Sequence, residues 1–167
     1  VDELLDIVNE QDQVIAQEFR SEIYAKRLSC FRVINAFLIN DSKQLWIPRR
    51  TKNKKLFPLC LDASVGGHVN AGESYQQAFE RELKEELNLN AGHCSYKAIA
   101  KLTPHEHGVS AFMHLYMIYT NITPSYNLED FDSAEWLLLH EIEEKIKGGI
   151  AIKGDFPLLI KALKNFL

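Results

Sequence analysis

The chain has 167 residues, 46% of them hydrophobic and 25% charged, which suits one ordinary globular domain with a real core. A net charge of −4 supplies no basic field for a nucleic-acid polymer. No apolar run reaches the ~18 residues that span a bilayer. The opening Val1-Asp-Glu-Leu-Leu lacks a basic stretch followed by an apolar one, so no secretory signal is expected there, and a cytoplasmic setting is.

Leu4 to Val8 and Val14 to Phe19 are short apolar runs around the polar stretch Asn9 to Gln13, a pattern for a hairpin or edge pair. Ser21 to Leu28 reads as a short helix with Ser21 as its cap. Phe31 to Ile39 and Leu45 to Pro48 read as strands around the turn Asn40 to Lys43. Leu61 to Val69 reads as a strand running into the loop Asn70-Ala-Gly72.

Ser74 to Leu87 is the clearest helix. Ser74 and Gln77 match a capping box, in which each side chain satisfies an orphan amide at the helix start. Ala78, Phe79, Leu83 and Leu87 form an apolar stripe at helical spacing, and Asn88 suits a left-handed stop. Further strands are expected at Lys97 to Leu102, Val109 to Tyr119 and Ala134 to Leu139. Helices are expected at Glu141 to Lys147, stopped by Gly148-Gly149, and at Pro157 to Leu167. The mixture predicts an α/β or α+β layered domain over residues 1–167, with residues 1–28 as an N-terminal extension packed on it. Cys30, Cys60 and Cys94 are widely separated and form no C-x-x-C pair, so they read as small core residues, not as a disulfide or zinc framework.

The chemistry concentrates on the helix after Ser74. Glu82, Glu85 and Glu86 stand at i, i+3 and i+4 and share one face. Like charges at that spacing destabilise a helix, and in its last turn the macrodipole disfavours anions as well. A hard divalent cation would compensate them, and Mg²⁺ prefers such oxygen ligands. The plain alternative for an E-x-x-E-E run is a solvated acidic face partnered by Arg81.

The longer segment from Gly66 to Leu89 decides between these readings. It resembles the Nudix signature, G-x5-E-x7-R-E-U-x-E-E-x-G-U with U a bulky aliphatic. Gly67, Glu73, Arg81, Glu82, Leu83, Glu85, Glu86 and Leu89 occupy the pattern without insertion, and Asn88 stands where the family has its last Gly. Asn tolerates left-handed geometry, so that departure is expected to be harmless. The resemblance implies an α/β/α sandwich with a mixed sheet. It implies metal binding by Glu82, Glu85 and Glu86 with the carbonyl of Gly66, and a bracing pair of Glu73 and Arg81. The implied activity is Mg²⁺- or Mn²⁺-dependent hydrolysis of a phosphoanhydride bond in a nucleoside diphosphate linked to a group X, or in a related small diphosphate. Metal ions would neutralise the phosphates and orient a water. A glutamate of the helix, or Glu106, Glu129 or Asp130 from a later loop, would take its proton.

Arg49 to Lys55 carries five cations in seven residues. This stretch is similar to the branch of the superfamily that includes isopentenyl-diphosphate isomerases, where Arg50 and Lys54 match diphosphate-binding positions and His68 matches a metal-ligand histidine. Isomerase activity needs a cysteine where this chain has Gly66, and Cys60 lies six residues earlier. Isomerase-like chemistry and a non-catalytic diphosphate-binding module therefore stand as alternatives to hydrolysis. His105 and His107, flanking Glu106, read as a polar loop near the site mouth, and Trp46, Phe57 and Tyr116 read as core before stacking residues. A small diphosphate is the expected partner, with no membrane and no nucleic-acid polymer; a homodimer is left open.

Overall fold

The computed structural model describes residues 1–167. Its elements, in chain order, are β1 (Leu4–Val8), β2 (Val14–Phe19), α1 (Arg20–Ala25), β3 (Arg32–Ile39), β4 (Leu45–Arg50), β5 (Val65–His68) and α2 (Tyr75–Leu87). A 3-10 turn at Ala91–His93 precedes β6 (Ser95–Leu102), and α3 (Pro104–His107), β7 (Phe112–Tyr119), β8 (Phe131–Leu137), α4 (Leu139–Lys147) and α5 (Phe156–Phe166) complete the chain.

The main sheet runs β6-β7-β3-β4-β8 and is mixed. β3 and β7 are parallel, in register from Arg32 with Phe112 to Ile39 with Tyr119, while β6, β4 and β8 pair antiparallel. β3 changes partner along its other edge. Val33 to Ala36 pair with β5, and only Ile39 pairs with β4. The two strands splay between those points, which would leave backbone groups of β3 and β4 without partners. The fully buried Ser64 fills the fork: its Oγ accepts from Leu38 N at 3.0 Å and donates to Trp46 O at 2.5 Å.

Strand alternation sorts the core into two layers. Ile34, Ala36 and Leu38 of β3 join Tyr116 and Ile118 of β7 on one face, under Ala78, Phe79, Leu83 and Leu87 of α2. Phe37 and Ile39 join Met113, Leu115 and Met117 on the other face, under Ile142 of α4 and Phe156, Leu159, Ile160 and Leu163 of α5. The result is the α/β/α sandwich expected from the signature. A smaller cluster of Leu5, Ile23, Phe31 and Ala111 seats β1 and α1 against this body.

Several expected boundaries shift for identifiable reasons. The strand expected from Leu61 is only Val65–His68, because Leu61 makes isolated bridges to Arg49 and Ile152 instead of a ladder. Ser21 does not cap α1. The helix begins at Arg20, and the Ser21 hydroxyl donates to Asp2 at 2.5 Å. β8 starts three residues early, at Phe131, and ends at Leu137, so Leu139 opens α4. α3 was not expected. Pro104 at its start, Thr103 Oγ1 accepting from Glu106 N, and Gly108 at φ 71° close this single turn. The expected capping box of α2 is present with both halves, and Asn88 adopts φ 56°, the left-handed stop.

Candidate functional site

β5, the loop after it and the second half of α2 carry the signature residues, and local chemistry fixes them. Arg81 is the hub. Its Nε and Nη2 donate to the two oxygens of Glu73 at 2.8 and 2.9 Å, Nη2 also to the His68 carbonyl at 2.9 Å, and Nη1 to Glu82 Oε1 at 2.7 Å. Glu73 Oε2 in turn accepts from Asn70 N. Burial alone would raise the Glu73 carboxyl, but the guanidinium and that amide hold it below its usual value, and Glu73 lifts Arg81 further above its own. This fork-on-carboxylate pair ties the loop to the helix.

Glu82, Glu85 and Glu86 all line one cleft of about 670 Å³. Glu82 and Glu86 are buried; Glu85 is exposed. Burial pushes the Glu82 carboxyl up to about 7 in spite of Arg81. Burial first, and the Glu82 charge second, push Glu86 well above its usual value, although Gly66 N donates to Glu86 Oε1 at 3.0 Å. Two desolvated carboxylates side by side are electrostatically under-compensated. That donor set suits a hard divalent cation. Gly67 makes room for the Glu82 carboxyl itself: a Cβ there would stand 2.1 Å from the carboxyl carbon. Only one oxygen of each buried glutamate is held by a hydrogen bond. As the side chains stand, no three acidic or imidazole groups converge on a single point, since Arg81 draws Glu82 and, at 3.5 Å, Glu85 toward itself. Coordination by all three would need those side chains to turn from Arg81 toward the cleft.

The basic side of the cleft is already occupied by acids. Strand alternation sends Arg49 outward to Asp132 and Arg50 inward. Arg50 Nη1 binds the buried Asp62 at 2.9 Å, and its Nε and Nη2 donate to the carbonyls of Leu56 and Phe57. Lys153, from the α4–α5 loop, reaches the same Asp62 oxygen at 3.4 Å. Lys54 binds Asp130 at 2.5 Å. His68 also lines the cleft, but its nitrogens face the N-terminal segment: Nε2 is 2.9 Å from the Tyr24 hydroxyl and Nδ1 3.7 Å from Glu3. Burial, then the nearby Arg20, Lys153 and Arg81, lower it to about 3, so the ring is neutral.

Some expectations change here. Of the later acids, only Asp130 lines the cleft; Glu106 borders a separate groove beside α5, and Glu129 borders neither. His105 and His107 are not at the cleft mouth, and His107 Nδ1 accepts from Thr103 N within its own turn. Trp46 and Tyr116 are core, at 1% and 3% exposure, but Phe57 is 42% exposed, lines the cleft and packs near Gly154. All three cysteines are free and half-buried.

Sequence reasoning missed Asp62, Lys153, Glu3, Arg20 and Tyr24, all of which line the cleft. No motif marks them. They meet only because the fork in β3, the α4–α5 loop and the N-terminal hairpin converge. The hairpin also holds the signature loop directly, with Ala71 N donating to Leu4 O and Gly72 N to the buried Asp6 carboxylate.

The model of the NUDIX domain matches residues 31–155. The chain is 48% identical to an uncharacterized Nudix hydrolase of Nostoc sp. over 164 residues, 98% of this chain and 95% of that one. It is 44% identical to a Nudix hydrolase of Deinococcus radiodurans over 160 residues, 96% and 93% of the two chains. The crystal structure of DR0079 from Deinococcus radiodurans superposes with a TM-score of 0.92 at 43% identity, covering 95% of this chain and 98% of that one. With its signature complete but for Asn88 and these relatives matched along nearly their full length, the chain belongs to the Nudix family and is a Nudix hydrolase.

Proposed function

We propose that the protein hydrolyses a phosphoanhydride bond in a nucleoside diphosphate linked to a further group, or in a related small diphosphate, with Mg²⁺ or Mn²⁺ held by Glu82, Glu85, Glu86 and the Gly66 carbonyl. The observation that carries this reading is the burial of Glu82 and Glu86 against side-chain-free Gly66 and Gly67 in an open cleft. The bound cation would supply charge neutralisation on the phosphates and a more acidic water.

The chain's own residues do the rest. Glu73 and Arg81 hold the loop and helix in one geometry. Arg50, Lys54 and Lys153 turn a cationic side toward the phosphates while Asp62 and Asp130 keep them in place. A glutamate of α2 is the proton acceptor we assign, because Asp130 is engaged by Lys54 at 2.5 Å and Glu106 and Glu129 stand off the cleft.

The resemblance to the isopentenyl-diphosphate isomerase branch stays at the level of shared phosphate-site positions. Residue 66 has no side chain to protonate a double bond, and Cys60 does not line the cleft. A phosphate-release screen with Mg²⁺ or Mn²⁺ across nucleotide sugars, dinucleotides, nucleoside triphosphates and isoprenoid diphosphates tests the reading. Product is expected from at least one nucleoside diphosphate derivative, abolished by Glu85→Gln or Glu86→Gln. Undiminished turnover in both variants would sink the proposal, and tight diphosphate binding without turnover of any substrate would leave a binding module.

A further inference from the structure

After β4 the chain forms a closed strap. Arg50 N donates to the Cys60 carbonyl at 2.9 Å and Leu59 N to the Arg50 carbonyl at 3.2 Å, so residues 51–60 leave the strand and return to the same point. The strap borders the cleft through Lys54, Lys55, Leu56 and Phe57. Its apolar side chains are not packed away: Leu56, Phe57 and Leu59 are 40%, 42% and 46% exposed. The Phe57 ring meets the α4–α5 loop at Gly154, where a Cβ would stand 3.3 Å from its Cζ. Backbone strain concentrates in the same stretch. Asp12, Arg27, Lys43 and Asn88, which also have positive φ, are polar. The remaining non-glycine residues of that kind are Phe57 at φ 51° and Leu59 at φ 59°. A Cβ is costly in that region, and an apolar side chain forms no local hydrogen bond to offset it. Pro58 adds to the strain at Phe57, because a residue before proline prefers extended backbone.

Such conformations persist only where the surroundings impose them. Here the imposing group is Arg50. Its Nη1 on Asp62 anchors the guanidinium at 2.9 Å. The other edge grips the strap: Nε donates to the Leu56 and Phe57 carbonyls at 3.2 and 3.1 Å, and Nη2 to the Leu56 carbonyl at 3.0 Å. That edge is the planar fork that takes a phosphate through two parallel hydrogen bonds. A charged phosphate oxygen is a stronger acceptor than a neutral carbonyl. We propose that the 51–60 strap is released by substrate: a phosphate group arriving at Arg50 takes the Nε–Nη2 edge from the Leu56 and Phe57 carbonyls, and the loop then relaxes out of the left-handed conformation at Phe57 and Leu59. The inference rests on the reading of Arg50 as a diphosphate ligand and goes beyond it. Asp62 keeps the guanidinium in place throughout, so the exchange moves the loop and not the charge. Strain held in the empty protein is returned on binding and contributes to affinity. The freed loop carries three exposed apolar side chains beside the cleft, where they cover a bound molecule and exclude water.

The test uses the full chain with Mg²⁺ and inorganic pyrophosphate, a probe with no further group for the loop to touch. Leu59→Gly and Leu59→Ala both remove the exposed side chain, but Ala keeps the Cβ that makes φ 59° costly and Gly does not. Calorimetry should show Leu59→Gly binding pyrophosphate roughly three- to tenfold more weakly than Leu59→Ala, because it has less strain to release. A difference of about twofold or less would mean that the strained backbone survives in the complex, and would overturn the proposal. Hydrogen exchange reads the loop in the wild type. The amides of Leu59 and Cys60, bonded within the strap, should exchange faster when pyrophosphate saturates the protein; unchanged or slower exchange at both also overturns the proposal. Without ligand, Leu59→Gly should melt above Leu59→Ala, and the reverse order would deny the strain itself. If the wild type bound no pyrophosphate with Mg²⁺ present, the diphosphate reading would fail and this inference with it; pyrophosphate binding of equal strength in the two variants sinks this inference alone.

Discussion

On the α2 side of the cleft, Glu82 and Glu86 are buried with carboxyls pushed upward; on the opposite side Arg50, Lys54 and Lys153 each already hold a carboxylate. Both sides are charged, but one is under-compensated and the other is satisfied. An under-compensated acidic side stores affinity for a cation from solution, at the expense of stability in its absence. A satisfied basic side is a preorganised surface: Arg50 spends its donors on Asp62 and on two carbonyls of its own loop, which fixes where the remaining positive potential points. The two halves should therefore respond oppositely to mutation.

The largest expected effect is on the acidic side. Glu86→Gln should lower kcat/KM by about 1,000-fold or more, the loss typical of removing a group that stabilises developing charge. The same variant should melt no lower than wild type without metal, because it removes a charge from a buried place. A lower metal-free melting temperature would mean that Glu86 is structurally satisfied after all. Breaking the basic side should do the reverse. Asp62→Ala leaves Arg50 and Lys153 without their shared partner and should cost roughly 3–5 kcal/mol in urea unfolding, the range for disrupting a buried ion pair. A loss below ~1 kcal/mol would show that this side is not held as described.

Next in size is a pH effect. The folded Glu82 titrates near 7 against 4.5 for the free side chain. Between those values the native state binds more protons than the unfolded one, so metal-free stability must fall as pH rises through that window. At about 1.4 kcal/mol per pKa unit the decline is on the order of 3 kcal/mol, and saturating Mg²⁺ should flatten it. Unfolding curves with chelator at pH 4.5, 6 and 7.5 check the sign, and a rising profile attributable to Glu82 would contradict it. Smaller still, Ser74→Ala removes one half of the capping box and should cost about 1 kcal/mol, felt mainly by α2. Lys54→Met should cost about 0.5 kcal/mol, since its pair with Asp130 is partly solvated, yet raise KM for a diphosphate; unchanged KM would remove Lys54 from the binding surface.

What could be read from the sequence was local or periodic. The α2 cap, its apolar stripe and its left-handed stop at Asn88 depend on residues within a few positions of one another, and each is present. The order of the signature likewise puts Arg81 within reach of Glu73 and of Glu82, and it contacts both. Features that depend on distant partners were not legible. Arg49 and Arg50 look equivalent as a dipeptide, and only the pleat of β4 sends one to Asp132 and the other to Asp62. Phe57 looks like a core residue, yet it lies in a loop that places it at φ 51° with its ring on the cleft. Asp62 and Lys153 are 91 residues apart and carry no motif. The strand expected from Leu61 failed for a related reason. β3 forks there, and a serine hydroxyl stands in for ladder bonds that periodicity would assume.

The hairpin formed by β1 and β2 lies outside the stretch matched by the family model, but its Leu4 carbonyl and Asp6 carboxylate hold the amides of Ala71 and Gly72, and Tyr24, just beyond it, meets His68. Trimming this protein to residues 31–155 would therefore remove a brace of its working loop, together with all of α5, which supplies Phe156 and Leu159 to the cleft floor. For this member of the family the boundary of the shared domain is not the boundary of the working unit.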